Sequence, residues 1–152
     1  MELIFRLATK EDVPDIVRML ADDVLGADRE NADDAHADKY LNAFDRIVAA
    51  PNQELTVVEM NGELVGTFQL TFIHYLIHEG GLRVLVEAVR TNSKYRGQGI
   101  GKRMFAYIVN RAKERGAYMV QLTSDKKRVD AIRFYEAIGF KPSHEGMKLR
   151  LE

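Results

Sequence analysis

The chain has 152 residues with a formal net charge of -1, 46% apolar and 30% charged residues, and no cysteine. That length fits one domain with a real core, and the composition is that of an ordinary globule. Near-neutral charge gives no general pull toward nucleic acid or anionic membrane, and the missing thiols exclude disulfides, cysteine metal sites and cysteine nucleophiles.

Glu2 to Leu7 reads as a short strand, with none of the basic start or long apolar stretch of a signal peptide. No apolar run approaches the ~20 residues of a membrane helix, so a cytoplasmic chain without membrane association is expected. Thr9 and Asp12 are candidate helix caps, and Pro14 fits a helix start. Val13, Ile16, Val17 and Leu20 then keep helical spacing to about Asp22. A second helix is expected over Asp34 to Ala49, closed by Pro51.

Glu54 to Met60 and Glu63 to Ile73 flank Asn61-Gly62, the pair favoured in a tight type I′ hairpin turn. His74 to Gly81 follows as a polar-aromatic loop, then a strand over Leu82 to Thr91. The helix after it buries Ile100, Met104, Phe105, Ile108, Val109 and Ala112 and stops at Gly116. Tyr118 to Thr123 reads as a strand. Asp130 is a candidate cap for a helix bearing Phe134, Tyr135 and Ile138, with Gly139 as terminator, and a last strand is expected near Gly146 to Leu151. The order implies an α/β fold, with a mixed sheet and helices on both faces. No repeat or linker interrupts it, so residues 1–152 are expected to form one domain.

Between the fourth strand and the helix lies Arg96-Gly97-Gln98-Gly99-Ile100-Gly101, followed by Lys102. A strand, a glycine-rich turn and a helix start make an anion site, because the glycines permit close approach and the first helical turn has unpaired N–H groups. The spacing is neither the dinucleotide G-x-G-x-x-G nor a P-loop, since Gly101-Lys102 is followed by Arg103 rather than Ser or Thr.

Tyr95 to Lys102 resembles the acyl-CoA pyrophosphate loop, R/Q-x-x-G-x-G/A, of the GCN5-related N-acetyltransferase (GNAT) family. Leu85 to Thr91 resembles that family's fourth strand, and Ala131 to Phe140 its A-x-x-[FL]-Y-x-x-x-G-F motif. The resemblance implies a mixed, mostly antiparallel sheet splayed between its fourth and fifth strands by a bulge. It implies acetyl-CoA as co-substrate, without a metal, held by the amides of Arg96, Gly97, Gln98, Gly99, Ile100, Gly101 and Lys102. Val89, Arg90 and Thr91 would line the pantetheine arm, with the Val89 N–H polarising the thioester carbonyl. Tyr135 falls at the general-acid position, although its spacing also suits a packed aromatic. Glu87 is the candidate base, or else an acid on the wet face of its strand. His74, Tyr75 and His78 are further candidates for base or acceptor pocket.

Where many members have Asn seven residues before the tyrosine, this chain has Arg128. The stretch Asp125 to Arg128 either reaches CoA phosphates or is a solvated loop. Asp22, Asp23, Asp28, Glu30, Asp33, Asp34 and Asp38 would suit a cationic amine or merely solvate a loop. The function implied is acetyl transfer to a primary amine of a small molecule. A non-catalytic acyl-CoA sensor of the same fold is the alternative. The basic residues are too dispersed for nucleic acid, four histidines without useful spacing make no zinc site, and a homodimer is left open.

Overall fold

A computed structural model describes residues 1–151 of the chain, Val24 by its backbone. Contacts divide it into two compact units, Met1–Gln121 and the residues from Leu122 onward.

The first unit is built on a sheet ordered β1-β2-β3-β4-β5. Strands β1 (Ile4–Leu7), β2 (Gln53–Met60), β3 (Glu63–His74) and β4 (Leu82–Thr91) pair antiparallel in sequence order. The expected hairpin turn forms, with Asn61 at φ 52° and Gly62 at φ 79°. β5 (Met119–Leu122) joins β4 in parallel, and just before it the Tyr118 N–H donates to Leu82 O at 2.9 Å. With four residues against ten, β5 leaves the later part of β4 without a strand on that side.

Register sorts the strands into two faces. Thr56, Val58, Phe68, Leu70, Phe72, Val84 and Val86 share one face and are buried. Helix α5 (Ile100–Glu114) lies on it, burying Ile100, Met104, Phe105, Ile108 and Ala112 at helical spacing. Each of the four larger side chains contributes roughly 1.5–3 kcal/mol. Gly66 suits this packing, because an added Cβ would stand 2.8 Å from Met104 Sδ and the buried Met104 side chain would have to shift. The other face is covered by α1 (Val13–Ala21) and α3 (Asp38–Ala49), where Val13, Val17, Ala35, Phe44 and Leu55 pack together. The Arg6 guanidinium also stands there, 2.7 Å from both Asp12 and Glu59.

Several local expectations are corrected. The second helix starts at Asp38 rather than Asp34, because the chain first forms α2 (Val24–Arg29), capped by Asp23, and a 3-10 turn over Ala32–Asp34. Residues of the 74–81 loop form one irregular turn, α4 (Ile77–Gly80), in which His78 and Glu79 both have left-handed φ. In the second unit, α6 (Val129–Ala137) is entered through Arg128, so Asp130 lies inside the helix and is not its cap. Residues 146–151 form no strand, because a strand needs a ladder partner and none is present among the described residues.

Candidate active site

The strand leading to the glycine loop is irregular. Along β4, Arg90 pairs with Thr67 and Glu87 with Gln69, so Ala88 and Val89 together oppose Phe68 alone. This is a β-bulge. Ala88 supports it at φ 54°, in the left-handed region that a non-glycine residue occupies at a cost of about 1–2 kcal/mol. The bulge re-aims the backbone of Val89 where β4 has outrun β5.

Arg90 and Thr91 return to the ladder, opposite Thr67 and Gly66. Arg90 Nη1 donates to Val89 O at 2.9 Å, and its Nε lies 3.1 Å from Asp23 Oδ2. These side chains are 13% and 18% exposed, so the pair is largely shielded from water. Asp23 Oδ1 also accepts the Gly26 N–H at 2.5 Å and so caps α2. The Arg90 side chain is therefore turned to the α1–α2 junction.

Beyond β4, Asn92 pins the chain back on the sheet. Its N–H donates to Val65 O at 2.8 Å, its Nδ2 to Leu64 O at 3.2 Å, and its Oδ1 accepts from Lys94 N at 3.1 Å. Tyr95 bonds the Glu63 carboxylate through its hydroxyl, which raises the phenol pKa. The chain then turns through Gly97 and Gly99, both at φ 80°, and enters α5 at Ile100. No neighbouring atom lies within 4 Å of where a Cβ would stand on either glycine. The first intrahelical bond is Arg103 N–H to Gly99 O, at 3.2 Å. Among the described residues the amides of Gly97, Gln98, Gly99, Ile100, Gly101 and Lys102 have no bonded acceptor. Open space before a row of unpaired N–H groups at the positive end of a fifteen-residue helix suits a phosphate-type anion. Ile100 is buried and anchors the row, whereas Arg96 and Lys102 are exposed beside it. The Arg96 guanidinium donates to Asp22 O at 3.1 Å, a second tie between this loop and the α1–α2 junction.

A cleft of about 450 Å³ nearby is lined by Asp15, Arg18, Asp22, Glu63 and Asn92. Its three carboxylates disfavour an anion, so the amide row and not this cleft carries the argument.

Glu87 is exposed, opposite Gln69, which in turn bonds Gln53 at 2.8 Å. Its charge is therefore on the wet face of the strand, where it is not costly to place. His74 and Tyr75 stand at the start of β4, since His74 pairs with Leu82. Six residues separate that pair from the bulge, roughly 20 Å of strand. His78 stacks near Tyr118 at 5.0 Å, in the same distant turn.

In the second unit, Tyr135 sits half-buried on α6 between Phe134 and Phe140, with ring centroids 5.6 and 5.9 Å away. The turn after α6 returns Phe140 N–H to Tyr135 O at 3.0 Å. Arg128, half-buried, precedes that helix, its N–H donating to Asp125 O at 2.9 Å. Among the described residues no group of three or more His, Asp or Glu side chains is placed to hold a metal, and no helix is long and apolar enough to cross a membrane.

The acetyltransferase (GNAT) family matches residues 17–140, which include the bulge, the glycine loop and α6. The chain belongs to the GNAT family. Its class is N-acetyltransferase. It is 32% identical over 105 residues to an aminoalkylphosphonate N-acetyltransferase of Salmonella typhimurium, covering 69% of this chain and 68% of that protein. It is 30% identical over 104 residues to a probable glucosamine 6-phosphate N-acetyltransferase of Drosophila melanogaster, covering 67% of this chain but only 46% of that longer one. A solved structure described as a transcriptional regulator from Bacillus halodurans C-125 is 47% identical, with a TM-score of 0.94 over 99% of this chain and 100% of that one.

Sequence reasoning missed two side chains that brace this strand and loop, Asp23 and Asn92. Asp23 was legible only as one acid among seven. Asn92 carries a signal in its position, directly after the strand and before the loop.

Proposed function

We propose that this GNAT protein moves an acetyl group from acetyl-CoA to the primary amine of a small molecule, by direct attack of the amine on the thioester. The observation that carries the reading is the row of unbonded amides from Gly97 to Lys102, set immediately after a bulged strand. In this reading the pyrophosphate rests on those amides, with Arg96, Lys102 and Arg128 as flanking cations. The pantetheine arm runs along Val89, Arg90 and Thr91, and the Val89 N–H stabilises the developing oxyanion.

A primary amine of pKa ~10.4 is almost wholly protonated at pH 7, so a base must take its proton. Glu87, acting through water, is our assignment, since an exposed carboxylate on β4 is open to solvent. Tyr135, a phenol of pKa ~10 that is protonated at neutral pH, donates to the departing thiolate. The catalytic domain is the whole of residues 1–152, and its compartment the cytoplasm. The acceptor is cationic at its amine, and exposed Asp28, Asp33, Asp34 and Asp38 favour such a group. The curated relatives are named for amines that also carry phosphonate or phosphate, so acceptors of that class come first in an assay.

A second reading, a non-catalytic acyl-CoA-binding regulator, is favoured by the description of the 47% identical protein as a transcriptional regulator. Thiol release from acetyl-CoA, measured across a panel of amines for the native chain and for Tyr135→Phe, separates the two. Catalysis predicts acceptor-dependent thiol release and a loss of about 10²-fold or more in kcat for the variant, with acetyl-CoA affinity unchanged. Binding of acetyl-CoA without thiol release for any amine would favour the regulator.

A further inference from the structure

Arg83, Leu85 and Glu87 share one side of β4, because they alternate with Leu82, Val84 and Val86, which are buried on the α5 side. Register sets them opposite Ile73, Thr71 and Gln69 of β3. Glu87 is exposed and the other five are half-buried. Along β4 this floor therefore carries an acid, then a neutral pair, then a cation.

The cation is restrained but has no counter-charge. The Arg83 guanidinium carbon lies 4.7 Å from the centre of the Tyr75 ring and 5.5 Å from that of Tyr118. Its Nε donates to the Tyr118 hydroxyl, and its Nη1 to Gln121 Oε1 at 3.3 Å. Gly81 admits the Tyr118 ring, since a Cβ there would stand 2.5 Å from it. These partners are all neutral, and among the described residues no carboxylate pairs with Arg83. The two other strand arginines, Arg6 and Arg90, each have one. Two rings and two hydrogen bonds limit the freedom that a long side chain otherwise loses on binding. The planar fork keeps donors to spare, and it matches the oxygens of a phosphate.

We infer that Arg83 receives the phosphate or phosphonate of the acceptor whose amine is deprotonated at Glu87. The inference rests on the acetyl-transfer reading above and adds to it the group that reads the far end of the acceptor. An acid followed by a cation complements an acceptor that carries an ammonium at one end and an anion at the other. Glu87 and Arg83 are four residues apart, about 13 Å of strand, with side chains standing roughly perpendicular to the sheet. Hydrogen bonds from Glu87 to water, from water to the amine, and from the guanidinium to the anion take about 2.8 Å each. Roughly 5 Å remains between the amine nitrogen and the anion oxygen. Two or more carbons between nitrogen and phosphorus bridge that gap, and a single carbon does not.

Thiol release from acetyl-CoA tests this with matched acceptors. Glucosamine 6-phosphate should exceed glucosamine in kcat/KM by tenfold or more, and 2-aminoethylphosphonate should exceed aminomethylphosphonate likewise. Arg83→Gln should collapse the first ratio by raising KM for the phosphorylated member more than it lowers kcat. Arg83→Lys, which keeps the charge and loses the fork, should give an intermediate ratio, and it carries the test if Arg83→Gln fails to fold. Equal use of glucosamine and its phosphate by the native chain overturns the inference. So does a loss in Arg83→Gln shared equally by both members of that pair, or equal use of the two phosphonates. If no amine releases thiol, the acetyl-transfer reading fails, and calorimetry with glucosamine 6-phosphate in the presence of CoA decides the anion site separately. Binding that weakens tenfold or more in Arg83→Gln sustains the site, and binding indifferent to the substitution, or none, overturns it.

Discussion

Asp23 and Arg90 form an ion pair of 3.1 Å that ties the start of α2 to β4 two residues beyond its bulge. The same carboxylate caps α2 through the Gly26 N–H. One side chain thus fixes a helix start and braces the strand on which the proposed oxyanion donor, Val89, is carried.

Replacing Asp23 with Asn keeps a competent helix cap but removes the charge facing Arg90. Losing one member of a largely shielded pair should cost about 1–3 kcal/mol, less than a fully buried pair because both side chains retain some water. Urea denaturation measures that loss. In kinetics the KM for acetyl-CoA should rise more than kcat falls, because the bulge is loosened and no reacting group is removed. An unchanged KM would show that the pair braces α2 alone.

The left-handed backbone of Ala88 gives a prediction of opposite sign. Ala88→Gly relieves the steric cost of φ 54° and loses no packing, since Ala88 is exposed. Its stability should rise by up to about 1 kcal/mol, the residue of that relief after glycine's extra chain entropy. Ala88→Val should lose about 1–2 kcal/mol or more, because a β-branched side chain is poorly accommodated at positive φ. Denaturant midpoints in the order Gly, Ala, Val are expected, and the reverse order would contradict the bulge.

Gly99→Ala and Gly62→Ala form a matched pair. Both glycines have φ near 80° and open space where a Cβ would stand. Each substitution should cost about 1 kcal/mol of stability. Only Gly99→Ala should also weaken acetyl-CoA binding, by tenfold or more in calorimetry, because its methyl group stands before the amide row. Equal affinities in the two variants would remove the loop from the binding site.

Asp12 should govern acid stability. Hydrogen bonds from the Arg6 guanidinium hold its carboxyl below the usual range, and the Thr9 N–H assists at 2.7 Å. A depressed folded-state pKa stabilises the fold above the unfolded value and loses that contribution as pH falls through the folded one. Stability should therefore decline progressively below about pH 5, and more steeply for the native chain than for Asp12→Asn. Parallel urea titrations at pH 7 and pH 3 measure the difference, and identical slopes would contradict the assignment.

The repeating parts of the fold were legible because periodicity and turn chemistry are local. Asn61-Gly62 announces its hairpin, and Ile100, Met104 and Ile108 announce the buried stripe of α5. What escaped the sequence depends on partners far along the chain. The Asp23–Arg90 pair spans residues that no local pattern connects. The left-handed position of the bulge falls on an alanine, a residue type that gives no local warning of it. The exposure of Glu87 escaped for a related reason, because alternation states which residues share a side of a strand but not which side is wet. The strand expected over residues 146–151 has the right pattern, but pattern alone supplies no pairing edge.

The central claim is that backbone amides from Gly97 to Lys102 receive the diphosphate of acetyl-CoA. Amide-resolved NMR during an acetyl-CoA titration tests it directly. The resonances of Gly97, Gln98, Gly99, Ile100, Gly101 and Lys102 should move together and saturate with one dissociation constant, with Gly62 unmoved. Saturable binding that shifts other amides and leaves these six in place would contradict the account.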